Sequence, residues 1–121
     1  SMEADEQHRR LLIKLCDGMN PESQTYHNFI FSLKAYLPTG RLDSVMQQLT
    51  NVFDLLEEKG VLKVGKYDNL KTALETSGYK ELLELVKREE TDIIRKMRKR
   101  IYNDVSMDGG LPNIDAASVL S

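Results

Sequence analysis

His8 and His27, the only two histidines, and Cys16, the only cysteine, are the side chains best suited to metal binding or nucleophilic attack. Their spacing argues against both. A zinc site gathers several N, S or O ligands, and neither histidine has a Cys or an acidic pair at ligand spacing. A nucleophilic thiolate needs an electropositive, accessible setting. Cys16 instead continues an apolar stripe, which predicts a structural thiol. Gly60 and Gly65 flank Val61-Leu62-Lys63-Val64, but no GxxxxGK[ST] or GxGxxG is present to cradle a phosphate. Glu57-Glu58 and Glu89-Glu90 read as solvated helix faces. Nothing is assembled for acid–base or nucleophilic work. No catalytic residue, metal, cofactor or small-molecule substrate is therefore expected, and function should lie in a surface.

The densest charge run is Arg95-Lys96-Met97-Arg98-Lys99-Arg100, and seven of the chain's 17 Lys and Arg fall between Lys87 and Arg100. Three readings are open for a basic patch of Arg95, Lys96, Arg98, Lys99 and Arg100. One is a solvated helix face near a C-terminus, where cations suit the helix dipole; this is the usual fate of such runs. The second is a nuclear-targeting or nucleic-acid patch, and the third a membrane-surface or partner contact.

Composition narrows the class. The chain is 40% hydrophobic and 30% charged over 121 residues, an ordinary soluble balance sufficient for one core. A net charge of -2 argues against a general nucleic-acid binder. A single cysteine fits a reducing compartment, the cytoplasm with the nucleus also open. No run approaches the ~18 apolar residues of a membrane helix, and no secretory signal opens the chain. Ser1-Met2 reads as the remnant of a cleaved tag, so the expectation is a domain taken from something longer.

Helices must position whatever surface does the work. The organising stretch runs from Leu49 to Val86, as short helices joined at Gly60 and Gly78. Glycine just past a helix end accepts left-handed backbone angles, and short connections force neighbours to pack side by side. Before it, Glu3 to Asp17 reads as a helix with Leu11, Leu12, Leu15 and Cys16 on one face and His8 extending it. A second helix is expected to start at Asn20-Pro21, a good N-cap followed by proline. Tyr26, Phe29, Ile30, Leu33 and Leu37 share one face of it, and Phe31 lies off that stripe. From Leu42 the periodicity reads as one helix to Lys59. Tyr67–Thr76 and a helix from Tyr79 follow. Ile93, Ile94, Met97 and Ile101 either continue that last helix or form a seventh. The tail from Asn103 reads as disordered. No strand signal persists, so the class is all-α. The predicted core is Leu12, Leu15, Phe29, Leu33, Val52, Phe53, Leu56, Leu70, Leu74, Leu82 and Val86.

Order and spacing of these pieces resemble the death effector domain, a branch of the six-helix death fold, over about residues Arg9 to Lys87. The carriers are FIFSLKAYLP (Phe29 to Pro38), NVFDLLEEKGVL (Asn51 to Leu62) and YDNLKTALETSGYKELLELV (Tyr67 to Val86), similar to the second, fourth, and fifth and sixth helices of that family. The resemblance implies a six-helix antiparallel bundle with a C-terminal helical extension. It also implies that the segment from Leu42 to Lys59 breaks into a short third helix and a fourth. The family carries Arg-x-Asp-Leu at the start of its sixth helix, paired with an acid on the second. Here those positions hold Tyr79, Lys80, Glu81 and Leu82, and the second-helix position falls at Gln24 or Thr25. Glu81 keeps the acid and Tyr79 replaces the Arg, so apolar contact is expected to join the two helices. The family's exposed second-helix Phe corresponds to Phe31.

The resulting expectation is a non-enzymatic interaction module at residues 3–87, a basic helical extension at 88–102 and a disordered tail at 103–121. By resemblance it would bind another death-fold protein or itself in apoptotic or innate immune signalling. Phe31 would be the anchor, with Lys34, Lys80 and Glu81 as polar contributors. The alternative is a harmonin-like docking domain of a larger protein that binds an unrelated peptide or helix.

Overall fold

The computed structural model describes residues 2–38 and 48–107, with side chains through Lys99. Five α-helices occupy the described residues: α1 (Met2–Asp17), α2 (Gln24–Ser32), α3 (Leu49–Glu58), α4 (Asp68–Ser77) and α5 (Lys80–Met107). A single 3-10 turn, Lys34–Tyr36, follows α2. No strand occurs among the described residues; an isolated bridge between Lys63 and Lys66 closes a tight turn. The chain is all-α. The helices expected as fourth, fifth and sixth are α3, α4 and α5, while the expected short third helix falls on residues 39–47, outside the described ones.

The apolar stripes meet in one core. α1 packs on α5 and α3, and α4 packs on α2 and α5. Leu12, Leu15, Phe29, Leu33, Val52, Phe53, Leu56, Leu70, Leu74 and Val86 are all buried, as the periodicity predicts. Leu82 departs from that prediction. It is half-buried, and Leu83 takes the inward position with Val86 and Ile93. Those three sit at i, i+3 and i+10 and share the face of α5 that points at the core. Leu82 covers the end of α1 instead, so close that a Cβ on Gly18 would stand 2.9 Å from its methyl.

The connections explain why α3, α4 and α5 are sharply separated. At the end of α4 the Tyr79 N–H donates to the Leu74 carbonyl at 2.9 Å and Gly78 N–H to Glu75 at 3.2 Å. This is the Schellman arrangement, and Gly78 takes the left-handed φ of 94° that it requires. The same pair of bonds ends α3, with Val61 N–H to Leu56 at 2.9 Å and Gly60 N–H to Glu57 at 3.0 Å. Each motif turns an apolar residue back: Leu62 is buried, and Tyr79 is half-buried.

Two boundaries differ from the sequence reading. α2 starts at Gln24, not at Asn20-Pro21. The Asn20 side chain accepts from the Glu22 N–H at 3.0 Å and its carbonyl from Ser23, which closes a turn. Ser23 is the cap, accepting from Tyr26 N–H at 3.1 Å. At the other end α5 is one helix of 28 residues. It passes position 87 without a break, so the basic segment continues the last helix. It also runs through Asn103 to Met107, where the sequence predicts disorder; the rest of that tail lies outside the described residues.

Candidate functional site

Two features break the usual sorting of side chains. The first is a polar seam where α1 crosses α5. Gln7 is only 6% exposed. Its amide donates to Glu89 at 2.5 Å and to Asp92 at 3.0 Å, and its carbonyl accepts from Lys96 at 2.7 Å. Lys14 pairs with Glu89 at 3.0 Å from the same side. On the other flank of α5, Lys71 of α4 reaches Glu90 at 2.7 Å. Burial pushes the Glu89 carboxyl up, but hydrogen bonds from Lys14 and Gln7 outweigh it and hold the group below its usual range. Hydrogen bonds from Gln7 and Arg95 lower Asp92 likewise.

Beside Gln7 sits His8, buried between Tyr67 at 2.7 Å and Glu57 at 3.3 Å. A carboxylate can only accept, so Nε2 donates toward Glu57, and in the neutral imidazole Nδ1 accepts from the Tyr67 hydroxyl. The order carboxylate, imidazole, hydroxyl has the form of a catalytic relay, but its outer member is unreachable. Tyr67 is completely buried, and burial pushes its hydroxyl up to about 12 against the Gly65 N–H that lowers it. The relay ties α1 to α3 and to the start of α4; it cannot attack a substrate. His27, the other histidine, is exposed on α2. Among the described residues no three His, Cys, Asp or Glu converge to hold a metal.

Cys16 is half-buried rather than inside the core, because it stands at the rim of the α1 stripe. Burial, then the charge of Asp17, pushes its thiol up. That is the opposite of what a nucleophile needs.

The second feature is Phe31. Phe29 and Ile30 are buried, and Phe31 is 70% exposed. Successive residues turn about 100° around a helix, so Phe31 points some 200° from Phe29. Lys34 lies over its ring, with Nζ 5.3 Å from the centroid. An exposed cation–π contact of this kind contributes about 0.5–1 kcal/mol. It holds the ring outward without covering it.

Lys80 and Glu81 are exposed in the first turn of α5. Phe29, not Phe31, is the α2 aromatic that meets this end of α5, its ring edge-on to Tyr79 at 6.0 Å. All four predicted contact residues, Phe31, Lys34, Lys80 and Glu81, are exposed, and Lys34 lies against the Phe31 ring. The Phe29–Tyr79 ring contact joins α2 to the residue that precedes α5. The basic run is split too. Arg95 pairs with Asp92, and Lys96 is drawn into the seam by Gln7 and Asp92. Arg98 and Lys99 remain exposed, and the Arg100 side chain lies outside the described residues.

Sequence reasoning missed the seam and Ile13, which is 57% exposed on α1. Ile13 had the same available signal as Phe31, an apolar residue off its helix's stripe. Gln7 had none, because its partners lie more than 80 positions away. No protein-family model matches the chain, and neither does a curated protein or a solved structure. Among the described residues no helix is long and apolar enough to cross a membrane.

Proposed function

We propose that this chain is a non-enzymatic protein–protein interaction module of death-effector type, with Phe31 as the anchor of its contact surface. One observation carries the reading: a large aromatic side chain 70% exposed on a helix whose neighbouring aromatics are buried. An interface draws most of its energy from a few desolvated anchors, aromatics prominent among them, ringed by polar groups. Phe31 supplies the apolar centre and Lys34 a cation beside it. The partner is another death-fold domain or a second copy, in apoptotic or innate immune assembly; this rests on the resemblance of the segments from Phe29 to Val86. Lys80 and Glu81, exposed in the first turn of α5, are the further polar contributors.

The test is Phe31→Ala in a pull-down against death-fold partners and in light scattering of the chain alone. Circular dichroism serves as the folding control. Association should be lost while the melting temperature is kept, since surface substitutions usually stay within about 0.5 kcal/mol. Full binding by the variant would move the anchor elsewhere.

A further inference from the structure

We infer that the outward face of α5 from Lys87 to Lys99 is a docking surface for a short acidic protein segment. The argument is a segregation of charge within one helix. At about 100° per residue, Arg88, Arg95 and Lys99 fall within roughly 40° of one another. Lys87, Thr91 and Arg98 flank them on one side. All six are exposed. Two acids of the same stretch turn the other way, Glu89 to Lys14 and Gln7 and Glu90 to Lys71, and Asp92, at the edge of the strip, is shared among Gln7, Lys96 and Arg95. Glu89 and Glu90 are thereby committed to the neighbouring helices. Paired on the helix itself are Asp92 with Arg95 and Glu84 with Lys87, exposed i,i+3 pairs that contribute little and exchange readily. Arg88, Arg98 and Lys99 have no ion pair among the described residues. A chain of net charge -2 therefore presents one continuous cationic strip.

The strip selects among anions. Among its described side chains, Lys87 to Lys99, it carries no aromatic on which an unpaired base could stack. It carries no apolar residue to enter a bilayer. Twelve residues of rise give it a length of about 18 Å. Beyond its N-terminal end the sign reverses at Glu84 and Glu81, both exposed. A duplex nucleic acid, with a charge every ~1.7 Å and no natural end, would run onto those acids. A short acidic segment would not. Arginine forks pair with carboxylates through two parallel hydrogen bonds, which suits Arg88 and Arg95 to such a partner.

The experiment titrates the full chain into a labelled short oligo-glutamate peptide and reads anisotropy at low and at physiological salt. Binding should weaken with salt. The variant Arg88→Glu/Arg95→Glu/Lys99→Glu should bind at least about tenfold more weakly. Lys59→Glu, a charge reversal on the exposed end of α3, and Phe31→Ala should match the parent. Should the triple variant fail a circular-dichroism control, Arg88→Ala/Lys99→Ala replaces it, with a loss of about threefold expected. Parent-like binding by these variants would overturn the inference. So would tighter binding of duplex DNA of equal charge or of phosphatidylserine vesicles. Because Phe31→Ala is a control here, failure of this surface and failure of the Phe31 surface give different results.

Discussion

Gln7 and Phe31 are both in the wrong place by the ordinary rule, one polar and buried, the other apolar and exposed. They differ in what completes them. Every polar end of Gln7 has a partner inside the molecule: Glu89, Asp92 and Lys96. The same holds for the adjacent His8, with Tyr67 and Glu57. The seam is a closed account of how α1 is held against α5 and α3, and nothing about it asks for a ligand. Among the described residues Phe31 has only the Lys34 ring contact, and it is 70% exposed. Burying it against another surface would gain about 1.5–3 kcal/mol. The chemistry-like cluster is therefore structural and the chemically bland residue is the functional candidate, the reverse of what residue types alone suggest.

The comparison is sharpest between Phe29 and Phe31, the same side chain two residues apart. Phe29 is fully buried and meets both Tyr26 and Tyr79. Phe29→Ala should cost about 3–5 kcal/mol, the usual loss for a core phenylalanine. Urea denaturation followed by circular dichroism would measure it. A loss below about 1 kcal/mol would mean that α2 carries little of the fold, and that the outward direction of Phe31 is not fixed by the packing of Phe29.

This contrast was legible in the sequence, and the seam was not, for one physical reason. Helix periodicity is local: Phe31 falls off the stripe of Tyr26, Phe29, Ile30 and Leu33 within one or two turns. Gly60 and Gly78 mark helix ends because the left-handed backbone is a property of single residues. Gln7 is placed by Glu89 and Asp92, and His8 by Tyr67 and Glu57, all set by tertiary packing. The start of α2 failed on competition between caps. Asn20 and Ser23 both suit the role, and Asn20 spends its side chain on Glu22. Leu82 reads as core in the sequence because two adjacent leucines lie about 100° apart on a helix and both suit an apolar stripe, of which only Leu83 faces fully in.

Gln7→Leu tests whether the seam holds the bundle or is merely tolerated. It removes two donors and an acceptor while keeping the volume, and leaves Glu89, Asp92 and Lys96 short of partners. The expected cost is about 1–3 kcal/mol. A more stable variant would show that the desolvation of these groups outweighs their bonds, a known outcome for buried ionic clusters. The acid limb gives a second readout. Glu89 and Asp92 are held below their ordinary values of 4.5 and 3.8. Carboxyls lowered on folding add stability above those values, and it is lost as pH falls through the folded ones. The parent should lose stability on acidification below about pH 4.5, and Gln7→Leu should lose it less steeply, because a bond that lowers both groups is gone.

Tyr79 is a third case, and it divides the other two. It is polar and partly buried like the seam residues, yet its hydroxyl is shielded from water with no hydrogen-bond partner among the described residues. Its ring is well used, edge-on to Phe29 at the junction of α2 and α5. If satisfaction is what makes a buried polar group structural, this hydroxyl should be a small cost and the ring a gain. Tyr79→Phe keeps the ring and removes the orphan. It should raise stability by up to about 1 kcal/mol, the low end of the penalty for an unsatisfied buried group. Paired denaturation curves with the parent would resolve such a difference. A loss of stability would mean that the hydroxyl is satisfied, most simply by an ordered water. Tyr79 would then belong with Gln7 and His8, its polar end completed within the folded protein.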